Sequence, residues 1–120
     1  MKILVCGDRN WSNRQFIYGY LYRLTKFEYR DRIVIIEGEA RGADTMARDW
    51  AELNGVKFEP YPADWKLHGK AAGPIRNRQM LSAKPDMVIA FHNDIGSSKG
   101  TRHMVTIARA AGIPVTVVTE

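Results

Sequence analysis

Apolar residues follow two alternating rhythms along this chain. Short segments read as strands: Lys2 to Cys6, Arg32 to Glu37, Lys57 to Pro60, Asp86 to Phe91 and Pro114 to Val118. Within them Val34, Ile35 and Ile36, and then Met87, Val88 and Ile89, are apolar without interruption, as strands covered on both faces are. Between the strands the apolar positions recur at three and four residues. Phe16, Ile17, Tyr20, Leu21 and Leu24 form one stripe in a helix expected over about 12–27. Ala43, Met46, Ala47, Trp50 and Ala51 form another in a helix from about Asp44 to Asn54, with Gly55 as its stop. Two further helices are expected, one starting at Pro74 and one over about 101–111, ended by Gly112. Strict alternation of strand and amphipathic helix predicts a doubly wound α/β domain: a parallel sheet of about five strands, helices on both faces and right-handed crossovers.

The chain has 120 residues, which fits a single domain over 1–120. Its 45% hydrophobic and 26% charged residues are those of an ordinary soluble globular protein, with no repeat and no low-complexity segment. The apolar run from Ile3 to Cys6 is too short for a signal sequence or a membrane span, so a cytoplasmic location without membrane contact is expected. Cys6 is the single cysteine, and its place at the end of an apolar run favours a buried structural thiol over a nucleophile. His68, His92 and His103 lie in different elements without ligand spacing, so no metal site is expected. The net charge of +5, from 18 Lys and Arg against 13 Asp and Glu, points to an anionic partner, either nucleic acid or a small phosphorylated molecule.

In an open parallel sheet ligands bind beyond the carboxyl ends of the strands, where strand order reverses. The loops to examine are therefore "GDRNWS", "GEARGAD", "YPADWKLHGKAAGPIRNR" and "HNDIGSSKGTR". These loops and the first turns after them hold Arg9, Arg14, Arg41, Lys66, Lys70, Arg76, Arg78, Lys99 and Arg102, nine of the 18 basic residues. Gly7, Gly38, Gly42, Gly69, Gly73, Gly96 and Gly100 fall there too, and glycine lets backbone N–H groups approach an anion. "GSSKGTR" places glycines, hydroxyls and two cations at one helix start, which is the best phosphate cradle in the chain. Taken alone, it reads equally well as an ordinary turn and cap.

Taken together, "GDRNW", "GEARGAD", "YPADW…HGKAAGPIRNRQM" and "KGTRHMV" resemble the YspA/YpsA-related branch of the SLOG superfamily, over nearly the whole chain from Ile3 to Val118. The resemblance implies a Rossmann-like, three-layer fold with a pocket for nucleotides or nucleotide-derived ligands, among them NAD- or ADP-ribose-like molecules. It also implies kinship with LOG phosphoribohydrolases, the DNA-processing protein DprA and small stand-alone phage members. In LOG enzymes the phosphate loop ends in a glutamate that assists base cleavage. Aligned on that loop, the chain places Ser97, Ser98, Lys99, Gly100 and Thr101 on the phosphate-binding part and Met104 where the glutamate stands. A thioether neither stabilises a cationic transition state nor moves a proton, so hydrolysis through that position is not expected.

Each remaining residue carries a plain reading beside the functional one. Arg41, next to Gly42 at a helix start, is assigned to a phosphate or a base edge. Asp44 reads equally as a helix cap and as a ribose ligand. Glu39 stands where the family pattern carries glycine; an ion pair with Arg41 or Arg76 is preferred, and a catalytic role for Glu39 or Asp44 arises only if the protein is an enzyme. Arg9 and Trp11 suit a phosphate and a stacked base, or merely a closed turn. His68, in a polar loop, is expected to face a ligand or a subunit. Arg76, Asn77 and Arg78 open a helix, where an anion site and a solvated face are equally compatible. Trp50 and Trp65 are assigned to packing or to a subunit interface. The expected ligand-binding set is thus Gly7, Arg9, Trp11, Gly38, Arg41, Gly42, Asp44, His68, Arg76 and Asn77 together with Ser97, Ser98, Lys99, Gly100 and Thr101.

The expected function is binding of a nucleotide-derived small molecule at the carboxyl edge of the sheet, with no cofactor required. N-glycosidic hydrolysis and DprA-like DNA binding are the alternatives. Acidic residues Asp8, Glu39, Asp44, Asp64 and Asp94 interleave with the bases, which suits a bounded pocket better than a groove along nucleic acid. Tyr18, Tyr22, Phe27 and Tyr29 point to a homodimer or larger assembly.

Overall fold

A computed structural model describes all residues, 1–120, and its five strands form one parallel sheet: β1 (Lys2–Gly7), β2 (Val34–Glu37), β3 (Lys57–Pro60), β4 (Met87–Phe91) and β5 (Val115–Val118). They lie in the order β3-β2-β1-β4-β5, with Leu4 beside Ile36 on one side and Val88 on the other. Helices α1 (Arg14–Thr25), α2 (Ala43–Leu53), α3 (Trp65–His68), α4 (Ala72–Ser82) and α5 (Lys99–Ala110) complete the chain, giving the Rossmann-like three-layer α/β architecture.

Strand alternation sorts the core into two halves. Ile3, Val5, Ile35, Ile89 and Phe91 point to one face, where Ile17 and Leu21 of α1 and Ala43, Ala47, Trp50 and Ala51 of α2 cover them. Leu4, Cys6, Ile36, Val88 and Ala90 point to the other, beneath Met80 of α4 and Met104, Val105, Ile107 and Ala108 of α5. The two predicted stripes are thus the buried faces of α1 and α2. Each fully buried Ile, Leu or Phe side chain contributes about 1.5–3 kcal/mol relative to exposure, so the sheet is held from both sides.

Several boundaries differ from expectation, and one helix is added. β2 begins at Val34, because Arg30–Arg32 close a 3-10 turn whose Arg30 carbonyl accepts the Ile33 N–H at 3.2 Å. α4 begins at Ala72, ahead of Pro74, which occupies its first turn. The connection before it contains the short helix α3, whose four residues are too few to show a period. No helix is long and apolar enough to cross a membrane.

Chain direction turns at the centre of the sheet. From β1 the chain winds outward through β2 to β3 with α1 and α2 on one face, then returns by α4 to β4 on the far side of β1, with α4 and α5 on the other. The carboxyl ends of β1 and β4 therefore feed loops that part, and a crevice opens between them.

Candidate functional site

A cleft of about 680 Å³ occupies that crevice. Its floor is the end of β1, Cys6 and Gly7, with Met80 and Met104 beneath. A Cβ on Gly7 would run into the Phe91 carbonyl, so glycine there lets the two central strands stay paired up to the cleft. One wall is the start of α5. Ser98 caps that helix, its hydroxyl accepting the Thr101 N–H at 3.1 Å, and the N–H groups of Lys99 and Gly100 have no partner within the helix. A Cβ on Gly100 would meet no protein atom within 4 Å, so the backbone lies open to the cleft. Arg102 braces the loop before it by donating to the Gly96 carbonyl at 3.1 Å.

The opposite wall is built on buried polar groups. Arg76, on α4, is 8% exposed; its Nη1 donates to the Gly38 carbonyl at 2.6 Å and its Nε to Asn77 Oδ1 at 2.9 Å. Because Oδ1 of Asn77 accepts from Arg76, its Nδ2 is the donor, reaching the Gly100 carbonyl at 3.2 Å and His103 Nδ1 at 3.0 Å. That fixes the neutral His103 tautomer with its proton on Nε2, and burial followed by the nearby Arg78 charge lowers its pKa. The chain Arg76, Asn77, His103 thus joins the starts of α4 and α5.

Asp44 is not a helix cap. The residue in the cap position is Gly42, whose φ of 87° is in the left-handed region and whose Cβ would strike the Asp8 carbonyl. That carbonyl accepts the N–H groups of Trp11 and Ala43, both at 3.2 Å, so only glycine brings the two loops together. Asp44, the second residue of α2 and 4% exposed, turns back to accept from Gly38 N–H at 3.1 Å and Ala40 N–H at 3.4 Å. Burial pushes its carboxyl up to about 6, and the Arg76 guanidinium works against that rise.

Glu39 corrects the ion-pair expectation in its partner alone. It pairs with Arg48, one turn into α2, at 2.7 Å, and not with Arg41 or Arg76. Its φ of 58° is one glycine takes without strain. Beside it Glu37 ends β2 fully buried, Oε1 accepting the Glu39 N–H at 2.8 Å and Oε2 lacking any partner in the protein. Burial, with the Glu39 carboxylate adding to it, raises Glu37 to about 9.

The cleft therefore brings together Gly7, Arg9, Asp44, Arg76, Asn77, Ser97, Ser98, Lys99, Gly100 and Thr101 of the expected set. Gly38, Glu39 and Arg41 line an adjoining hollow of about 430 Å³, which shares Arg9, Ala40, Trp65 and Arg76 with the cleft. Arg41 donates to the Arg9 carbonyl at 3.2 Å and to Asn10 Oδ1 at 3.1 Å. Gly42 and His68 line neither space. Trp11 is core, 4% exposed, its ring 5.6 Å from those of Phe16 and Phe91 and its indole N–H bonded to the Asn13 carbonyl. Trp50 packs in the core as expected, but Trp65 is 51% exposed and on the cleft. Lys70, one of the basic residues of the rim, also lines the cleft, as do three residues outside the expected set: His92 and Asn93 directly after β4, and His103 in the second turn of α5. Position directly after a strand was the signal that would have found His92 and Asn93.

The fold and site define a class: a doubly wound α/β domain with a basic, glycine-walled cleft at its topological switch point. The family model for the YspA, cpYpsA-related SLOG family matches residues 1–68. Gene 61 protein of Mycobacterium phage D29 is 40% identical over 120 aligned residues, covering 95% of this chain and 93% of that protein. The chain belongs to the YspA, cpYpsA-related SLOG family and has a phage relative.

Proposed function

We propose that the protein captures a nucleotide-derived small molecule in the cleft between β1 and β4. The observation that carries the reading is the pairing of an open helix start, at Ser98 to Thr101, with the buried Arg76 and Asp44 facing it across one bounded space. Ser97, Ser98, Lys99, Gly100 and Thr101 take the phosphate, through the free N–H groups of Lys99 and Gly100, the Lys99 ammonium, the hydroxyls and the helix dipole. Arg9 supplies a further cation. Asp44 uses Oδ2 on the loop, which leaves Oδ1 for a ribose hydroxyl. Carboxylates Asp8, Asp44 and Asp94 on the same lining favour a small ligand over a nucleic-acid strand.

Mass spectrometry of small molecules released by heat from protein purified without added nucleotide tests this. A stoichiometric nucleotide or related species supports it, and Lys99→Ala should then weaken rebinding by about 1.5–3 kcal/mol. If nothing is released and no nucleotide in a panel raises the melting temperature, the proposal fails.

A second reading, N-glycosidic hydrolysis, is favoured by one observation: Asp44 borders the cleft with a pKa pushed up to about 6, within the range of an acid or base at neutral pH. Met104, at the position of the LOG glutamate, is 1% exposed in the core and offers no proton. Release of free base from a nucleoside monophosphate, abolished in Asp44→Asn, would establish hydrolysis. Self-association is supported by Tyr22, Phe27 and Tyr29, exposed on α1 and its exit, and sedimentation reads it directly.

A further inference from the structure

We propose that Trp65 is the platform on which the base of the captured nucleotide stacks, and so the residue through which the site distinguishes a nucleotide from a bare sugar phosphate. This rests on the nucleotide reading given above.

Trp65 is 51% exposed, and no other aromatic ring of the chain stacks on it. It belongs to neither half of the core. Yet it is held in place. Asp64 caps α3 by accepting the Leu67 N–H at 3.0 Å, and the Gly69 N–H donates to the Trp65 carbonyl. One edge of the indole rests on the start of α4, where a Cβ on Gly73 would sit 3.6 Å from Cη2, an ordinary contact. The rest of the ring is presented to solvent at the boundary shared by the cleft and the adjoining hollow.

Among the Trp, Tyr and Phe side chains it alone lines the cleft. Most of the residues lining it are polar or glycine, and the apolar groups Cys6, Met80 and Met104 are buried at its floor. A flat heteroaromatic ring entering this space finds one exposed apolar face of matching shape. The indole is carried by the β3–α4 connection and the phosphate cradle by the β4–α5 connection, so the two grip a ligand from separate walls. Base–indole stacking is tolerant of base identity, because every base has a π-face. The site should therefore require a base while choosing weakly among bases.

The remaining tryptophans make the test direct. Trp11 and Trp50 are 4% and 5% exposed and lie outside the cleft, so solvent-exposed emission reports Trp65. The protein is titrated with ribose 5-phosphate and with AMP, GMP, CMP and UMP, following tryptophan fluorescence and binding heat. The nucleotides should quench the emission and ribose 5-phosphate should not. Trp65→Ala should weaken the tightest nucleotide by about tenfold or more and leave ribose 5-phosphate within about twofold, while Trp65→Phe keeps most of the affinity. Nucleotide binding of wild-type strength in Trp65→Ala overturns the stacking role and leaves nucleotide capture standing. Absence of binding by all five probes overturns the stacking role, and if heat also releases no nucleotide-derived species and no nucleotide in the panel raises the melting temperature it overturns capture as well. A loss of self-association in Trp65→Ala, with nucleotide affinity unchanged, also overturns the proposal and makes Trp65 a contact between copies.

Discussion

Arg76 donates through Nη1 to the Gly38 carbonyl at 2.6 Å, and this bond ties α4 to the loop leaving β2. The guanidinium is also the largest electrostatic compensation for the buried Asp44 charge. Arg76→Ala should leave a buried carbonyl unpaired and a buried carboxyl uncompensated, with a loss of about 2–3 kcal/mol in urea unfolding. A loss below about 0.5 kcal/mol would show that the contact is incidental.

Asp44 makes stability fall with rising pH. Its folded-state pKa of about 6 lies above the ordinary 3.8, so its contribution is complete below about 3.8 and is lost as pH rises through 6. The part lost is on the order of 2–3 kcal/mol. Asp44→Asn should remove that slope, and the difference between the two melting curves from pH 4 to pH 7 measures it.

Glu37 extends the same trend to alkaline pH. Raised from 4.5 to about 9, it is a neutral acid at pH 7, and its contribution is lost as pH rises through 9. Glu37→Gln keeps an acceptor for the Glu39 N–H but cannot ionise. It should match wild type near pH 5 and exceed it in thermal stability above pH 8; equal curves at both values would refute the buried neutral acid.

Much of this was legible in the sequence. The apolar runs and helical stripes set the strands, the faces of α1 and α2, and hence the loops that border the cleft. Partner choice was less visible. Of the two roles that the type and place of Asp44 suit, the cap is not the one adopted, because folding the β2 loop back offers it two N–H groups that a linear reading does not bring near. Glu39 finds Arg48 only once α2 turns that side chain toward the loop. Trp65 illustrates a further limit, since periodicity cannot tell a buried indole from an exposed one in a helix of four residues. Glu37 looked like any polar residue ending a strand.

Gly42→Ala should be among the costliest single-methyl additions on this rim. The new Cβ meets the Asp8 and Arg9 backbone at a φ that L-residues rarely adopt, so about 1–3 kcal/mol of strain or a shift of the loop is expected. Chemical denaturation measures the loss, and Gly100→Ala, with open space around its Cβ, is the control that should stay within about 1 kcal/mol.

The parting of the chain on either side of β1 has a consequence for how such a protein can be altered. The crevice comes from strand order and from helices leaving toward opposite faces, so it exists before any ligand arrives and does not depend on the side chains at its mouth. For the proposed capture role, little reorganisation would be needed on binding, and affinity would not be spent on opening the site. Trp65 and Lys99 stand outside both hydrophobic layers, so under the proposed capture role exchanging them should alter ligand preference and leave thermal endurance in place.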